Sequence, residues 1–186
     1  GIMNGKEGGK LDPKGTLTRA EMATMIATVL NRGTAPNFGV KNTPTFTDID
    51  NHWGESFIEY VCSVKSNDVK IMNGVGGGKF SPDATLTATT AARTILNAMG
   101  YTIDDPSNWE LLTETQARQE DINLYAGLSA ITDPSHHNIT REQFAQMLNN
   151  ALTKPMTGNN TYKTTANVYG TVYKINRVST GSISEV

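Results

Sequence analysis

The run from Ile2 to Leu30 recurs, roughly seventy residues later, as Ile71 to Met99. Ile2, Met3, Asn4, Gly5, Gly8, Gly9, Lys10, Pro13, Thr16, Leu17 and Thr18 match Ile71, Met72, Asn73, Gly74, Gly77, Gly78, Lys79, Pro82, Thr85, Leu86 and Thr87 without a gap. A third, worn copy ends in Asn138-Ile139-Thr140-Arg141-Glu142-Gln143-Phe144, against Thr16-Leu17-Thr18-Arg19-Ala20-Glu21-Met22 in the first. Units this small cannot each bury an apolar face alone, so they share a core with their neighbours. The pattern points to one repeat domain plus a tail, with function sited between repeats.

A net charge of −2 over 186 residues offers no electrostatic footprint for nucleic acid or an anionic membrane. No apolar run approaches the roughly 18 to 20 residues of a membrane span, so no membrane insertion is expected. Cys62 is the single cysteine, which excludes an intrachain disulfide and an ordinary thiolate zinc site. Beside Val61 and near Val64, it reads as a buried thiol.

Each copy places a Thr ahead of a helical pattern. Thr18 with Glu21, and Thr140 with Gln143, have the spacing of capping boxes, whereas Thr87 faces Thr90 and loses the reciprocal bond. Met22, Met25, Ile26, Val29 and Leu30 then fall on one helix face, as do Phe144, Met147, Leu148, Ala151 and Leu152. Ala91, Ile95, Ala98 and Met99 follow the same spacing in the second copy, so three related helices are expected to pack about a common axis. Trp53, Phe57, Ile58, Val61 and Val64 predict a leading helix for the second repeat, and Glu110 to Tyr125 one for the third. By register with the second copy, Gly1 falls inside a repeat, so a longer parent polypeptide is expected. The face Met22 to Leu30 then lacks its leading helix and calls for cover by a partner chain or the tail.

Gly-rich loops precede the first two caps, Gly5 to Pro13 and Gly74 to Pro82, where glycine permits positive φ and close backbone approach. They lack the Gly-Lys-Ser/Thr ending of a phosphate-binding loop. The third loop has shrunk to Asp133 through Asn138, and Gly33 to Pro44 reads as a linker. Beyond Pro155, Tyr162, Val168, Tyr169, Val172, Tyr173, Ile175 and Val178 among Thr, Asn and Ser give a strand-like composition. The divisions are 1–44, first repeat and linker; 45–101, second repeat; 102–156, degenerate third repeat; and 157–186, a tail or the start of a β-rich domain.

Other chemistries fit poorly. Lys10 to Glu21 has a Gly and a Glu at calcium-loop positions, but Lys10 and Lys14 stand where oxygen ligands belong. Asp133, His136 and His137 crowd one loop without helical ligand spacing, so no metal site is assigned. Nothing sets Asp104-Asp105 or Glu55 and Glu59 across a cleft, and all four read as charged surface positions. No catalytic residue and no cofactor are assigned.

Phe46, Asp48, His52, Trp53, Gly74, Gly78, Phe80, Pro82 and Thr87, with Gly1-Ile2-Met3-Asn4-Gly5, Leu17-Thr18-Arg19-Ala20-Glu21 and Ile139-Thr140-Arg141-Glu142-Gln143, resemble the S-layer homology family over residues 1 to about 152. The resemblance implies a mainly α fold: three helix-loop-helix modules in a pseudo-threefold bundle, the first incomplete, with a short β-like C-terminal tail. It implies a non-catalytic, extracellular module that anchors surface proteins in the bacterial cell wall or S-layer. Its partner would be the acidic, often pyruvylated, secondary polysaccharide linked to peptidoglycan, held in grooves between repeats.

Carried over residue by residue, Arg19 and Arg141 would be the motif arginines, Asp48 and Trp53 the acidic and aromatic contacts, and Gly74 the loop glycine. A guanidinium fork suits a carboxylate such as a ketal-linked pyruvate, and an indole face suits a sugar ring. Ala88 stands where the second repeat should carry its Arg, so that groove is expected to be silent, and Arg93 one turn on reads as solvated. Trp53 is balanced between core anchor and sugar contact, and Trp109 is set aside because its spacing to Gly127 departs from the pattern. The second reading is an assembly module whose repeats have lost glycan affinity and associate with another protein or with themselves.

Overall fold

The computed structural model describes residues 2–31, 43–66, 68–103 and 105–154, and the backbone of three strands beyond them. Five helices carry the main body: α1 (Arg19–Leu30), α2 (Glu55–Ser63), α3 (Ala88–Ala98), α4 (Trp109–Ala117) and α5 (Arg141–Leu152). A two-residue antiparallel pair, β1 (Lys65–Ser66) and β2 (Val69–Lys70), follows α2. Strands β3 (Thr165–Val168), β4 (Thr171–Arg177) and β5 (Ile183–Glu185) form an antiparallel sheet in that order. Val168, Val172, Tyr173 and Ile175 of the strand-like tail lie in these strands; Tyr162, Tyr169 and Val178, like most of the linker, lie outside the described residues.

The helix starts follow from the caps. The Thr18 and Thr140 hydroxyls accept from the Glu21 and Gln143 amides, and those side chains return a bond to the Thr backbone, completing both capping boxes. Thr87 accepts from the Thr90 amide without the reciprocal bond.

What joins the repeats is a closed cycle of short extended segments. Thr18 bridges to Thr85, Thr87 to Asn138, and Thr140 back to Thr16. Leu17 donates its N–H to the Ile139 carbonyl at 2.9 Å, and Ile139 to Leu86 at 3.1 Å. All three central residues are buried. The same seams satisfy helix ends, whose first N–H groups have no partner inside their own helix. Arg19 and Ala20 donate to Ala84 and Pro82, Ala88 and Thr89 to His137 and Pro134, and Arg141 and Glu142 to Gly15 and Pro13. Each trailing helix is thus capped by the loop of another repeat.

The helix pairs in most extensive contact are α1–α2 and α3–α4, with α3 also touching α5. The face from Met22 needs neither partner chain nor tail for its inner half: Met22, Met25 and Ile26 are buried, and α2 of the second repeat packs on α1. Val29 and Leu30 are half-buried against the same core. Cys62 is buried, as its neighbours imply.

Three further expectations change. The helix expected over Glu110 to Tyr125 ends at Ala117, because Ile122 and Leu124 are both fully buried. Residues two apart diverge by about 200° on a helix, so burying both requires a turn. Trp53 precedes α2 in a turn instead of riding on it. Glu55 and Glu59 are buried; Glu59 takes the Thr45 amide and hydroxyl, an internal partner invisible in sequence spacing.

Candidate functional site between repeats

Thr18 makes Arg19 the first residue of α1. Helical Cα–Cβ bonds tilt toward the N-terminus, so the Arg19 side chain reaches back over the loop of the second repeat. Its Nε donates to the Phe80 carbonyl and one terminal nitrogen to the Asn73 carbonyl, both at 2.8 Å, while the guanidinium lies 4.5 Å from the centre of the Phe80 ring. Burial pulls the Arg19 pKa below its ordinary value, with Cys62 and Asp48 acting in the opposite direction; an arginine stays charged throughout.

Around Arg19 opens a cleft of about 350 Å³. Its other walls are Ile71, Met72, Asn73, Thr90, Arg93, Thr94, Asn97, Pro106 and Trp109. Its lining draws on three separate stretches of the chain: Arg19, residues 71–97 and residues 106–109. Arg93 faces the Trp109 ring at 5.2 Å and donates to the Ile103 carbonyl at 3.3 Å. It is therefore a wall of the cleft and not the solvated side chain expected. Trp109, set aside on spacing, is half-buried in the same wall.

The loop opposite Arg19 is shaped by Asp48 and Gly74. The two Asp48 oxygens accept the Phe80 and Ser81 amides, each at 2.8 Å. Burial alone would raise the Asp48 pKa; those bonds, its own amide and nearby Lys79 outweigh it and hold the carboxyl below its usual range. Ser81, next in line, sits at φ 57, the left-handed conformation that Asp12 also adopts in the first repeat. A Cβ on Gly74 would lie 2.6 Å from the Lys79 carbonyl oxygen and 2.5 Å from the Phe46 ring, so only glycine lets the loop close there.

Arg141 occupies the matching station at the junction of the third and first repeats. Its Nε donates to Leu11 at 2.9 Å and one terminal nitrogen to Asn4 at 2.6 Å, the register counterparts of Phe80 and Asn73. Its other terminal nitrogen pairs with Glu21 Oε1 at 2.7 Å. The side chain is 4% exposed, so this fork is filled from within. At the third junction Ala88 presents no guanidinium at all.

Trp53 is 59% exposed, which removes the core-anchor reading; its ring lies beside His52 at 5.2 Å. His52 in turn accepts the Gly54 amide and faces Asp83. Of the five residues singled out in the sequence, the structure brings Asp48, Gly74 and Arg19 onto one loop and places Arg141 at the equivalent junction. Asn97 is not distinguishable as a site residue by type or motif, and only folding brings it together with Arg93 and Trp109 in one wall.

The S-layer homology domain family matches this chain over residues 1–23 and 45–87. The chain is also similar to a cell surface protein of Thermoanaerobacter kivui, 27% identical over 157 residues, which is 83% of this chain and 19% of that protein. It thus spans about a fifth of the length of that curated relative. No described helix is long and apolar enough to cross a membrane. Caps, Gly-rich loops and matches together make residues 1–23 and 45–87 similar to the S-layer homology domain family.

Proposed function

We propose that this chain is a non-catalytic anchoring module that binds an acidic, pyruvylated secondary cell-wall polysaccharide in a groove between repeats. The observation that carries the reading is the cleft at Arg19, where a guanidinium and an aromatic wall from different repeats meet. An arginine fork suits a carboxylate better than a neutral sugar. In this reading Arg19 takes the acid, Trp53 offers an exposed sugar platform, and Asp48 and Gly74 hold the loop against which the glycan lies. Arg141 stands at an equivalent groove that Glu21 keeps shut. The reading also takes the three repeats as a pseudo-threefold bundle, which the three equivalent bridges support.

The test is calorimetric titration with purified pyruvylated wall polysaccharide and with its chemically depyruvylated form. Binding to the pyruvylated polymer alone is expected. Binding to neither by a folded sample overturns the reading. A concentration-dependent oligomer that ignores the polymer would instead favour assembly.

A further inference from the structure

Helices α3 and α5 carry the same pair of positions one turn apart, Arg93 with Asn97 and Gln146 with Asn150. In α5 the pair is closed. The Asn150 amide nitrogen donates to the Leu124 and Ala126 carbonyls at 2.9 Å, and its oxygen accepts from Gln146 at 2.9 Å. In α3 the Asn97 nitrogen likewise donates to a backbone carbonyl, that of Ile71, at 3.3 Å. Its oxygen, however, has no hydrogen-bond partner among the described residues, although the residue is 6% exposed. The cause is the neighbour one turn back: Arg93 has turned to Ile103 and the Trp109 ring.

A buried acceptor without a donor is costly, and this one belongs to a residue lining the Arg19 cleft. The same wall offers a half-buried indole and a second guanidinium. These three groups ask for one kind of occupant: a ring with an apolar face, a hydroxyl or amide donor, and an anionic substituent nearby.

We propose that Asn97, Arg93 and Trp109 form a specificity subsite beside Arg19, which takes the sugar ring carrying or adjoining the acid. Asn97 Oδ1 accepts a hydroxyl or N-acetyl N–H from that ring, Trp109 stacks on its face, and Arg93 holds Trp109 in place while adding positive charge. This rests on the glycan reading of the cleft and makes the anion site selective for a sugar-borne acid over a free carboxylate.

Arg93→Gln is the informative variant, because it restores in α3 the amide pair found in α5 and closes the Asn97 oxygen from within. It is expected to leave the melting temperature unchanged or raised while weakening binding of the pyruvylated polysaccharide roughly tenfold, the scale of one charge-assisted hydrogen bond. Trp109→Leu is expected to weaken it similarly, and sodium pyruvate alone to bind the wild type at least a hundredfold more weakly than the polymer. If both folded variants bind the polymer within twofold of wild type while Arg19→Ala does not, the subsite is overturned and the glycan reading stands. If wild type binds no polymer, both fall together.

Discussion

Arg141 and Glu21 pair at 2.7 Å across the junction of the third and first repeats, and the same Glu21 receives the Thr18 amide through its other oxygen at 2.9 Å. One carboxylate therefore caps α1 and locks α5 to it. Lys6 approaches the shared oxygen at 3.6 Å.

Removing the arginine takes the nearer of two cations from a largely buried carboxylate and leaves Lys6 at 3.6 Å. Arg141→Ala is expected to lower unfolding free energy by about 3 kcal/mol. A urea-denaturation cycle with Glu21→Ala should return a coupling of about 1–3 kcal/mol. Simple additivity of the two variants would contradict the pairing.

Arg19→Ala should behave differently, since its side chain is half-buried and bonded only to carbonyls. A melting-temperature loss of only about 2–4 °C is expected, corresponding to about 1 kcal/mol. Pull-down on purified wall sacculi should nevertheless fall at least tenfold. Retained pull-down would remove Arg19 from the site.

Gly74→Ala forces a methyl group against the Lys79 carbonyl oxygen, a backbone atom that cannot swing aside. The expected cost is about 1–3 kcal/mol by chemical denaturation. Gly76→Ala, where a Cβ meets open space but φ is 99, should cost about 1 kcal/mol through backbone strain alone. The reverse order would refute the close-approach explanation.

The Asp48 carboxyl titrates below its ordinary value of 3.8, so the unfolded chain binds its proton more readily than the folded one. Its stabilising effect is complete above the unfolded value and disappears as pH falls through the folded one. The stability difference between wild type and Asp48→Asn should hold from pH 7 to about 4 and narrow below that. A difference independent of pH down to 2 would show that the Phe80 and Ser81 bonds do not depend on the charge.

Features written locally are legible in the sequence: Thr18 with Glu21 and Thr140 with Gln143 lie three residues apart, and Met22, Met25 and Ile26 repeat at helical spacing. Features made by juxtaposition are not. Whether Arg141 faces solvent depends on Asn4 and Leu11, far away in the chain. Glu59 is a surface residue by type and buried because Thr45 meets it. Trp109 enters the cleft only because α4 packs on α3, where Arg93 meets it. In each case a partner remote in sequence decides the environment, and periodicity within one segment carries no record of it.

The ring of bridges sets when this domain can become stable. An open stack of repeats can grow unit by unit, each adding its own increment. Here the bond from Arg141 to the Leu11 carbonyl spans 130 residues, and the first helix borrows its N-terminal acceptors from the second repeat. During synthesis the early repeat waits, with its seams unmade, until the last has emerged. Closure of so long a loop favours slow, all-or-none folding. Deleting any one repeat would break two seams at once, so shortened versions should fail abruptly and not by degrees.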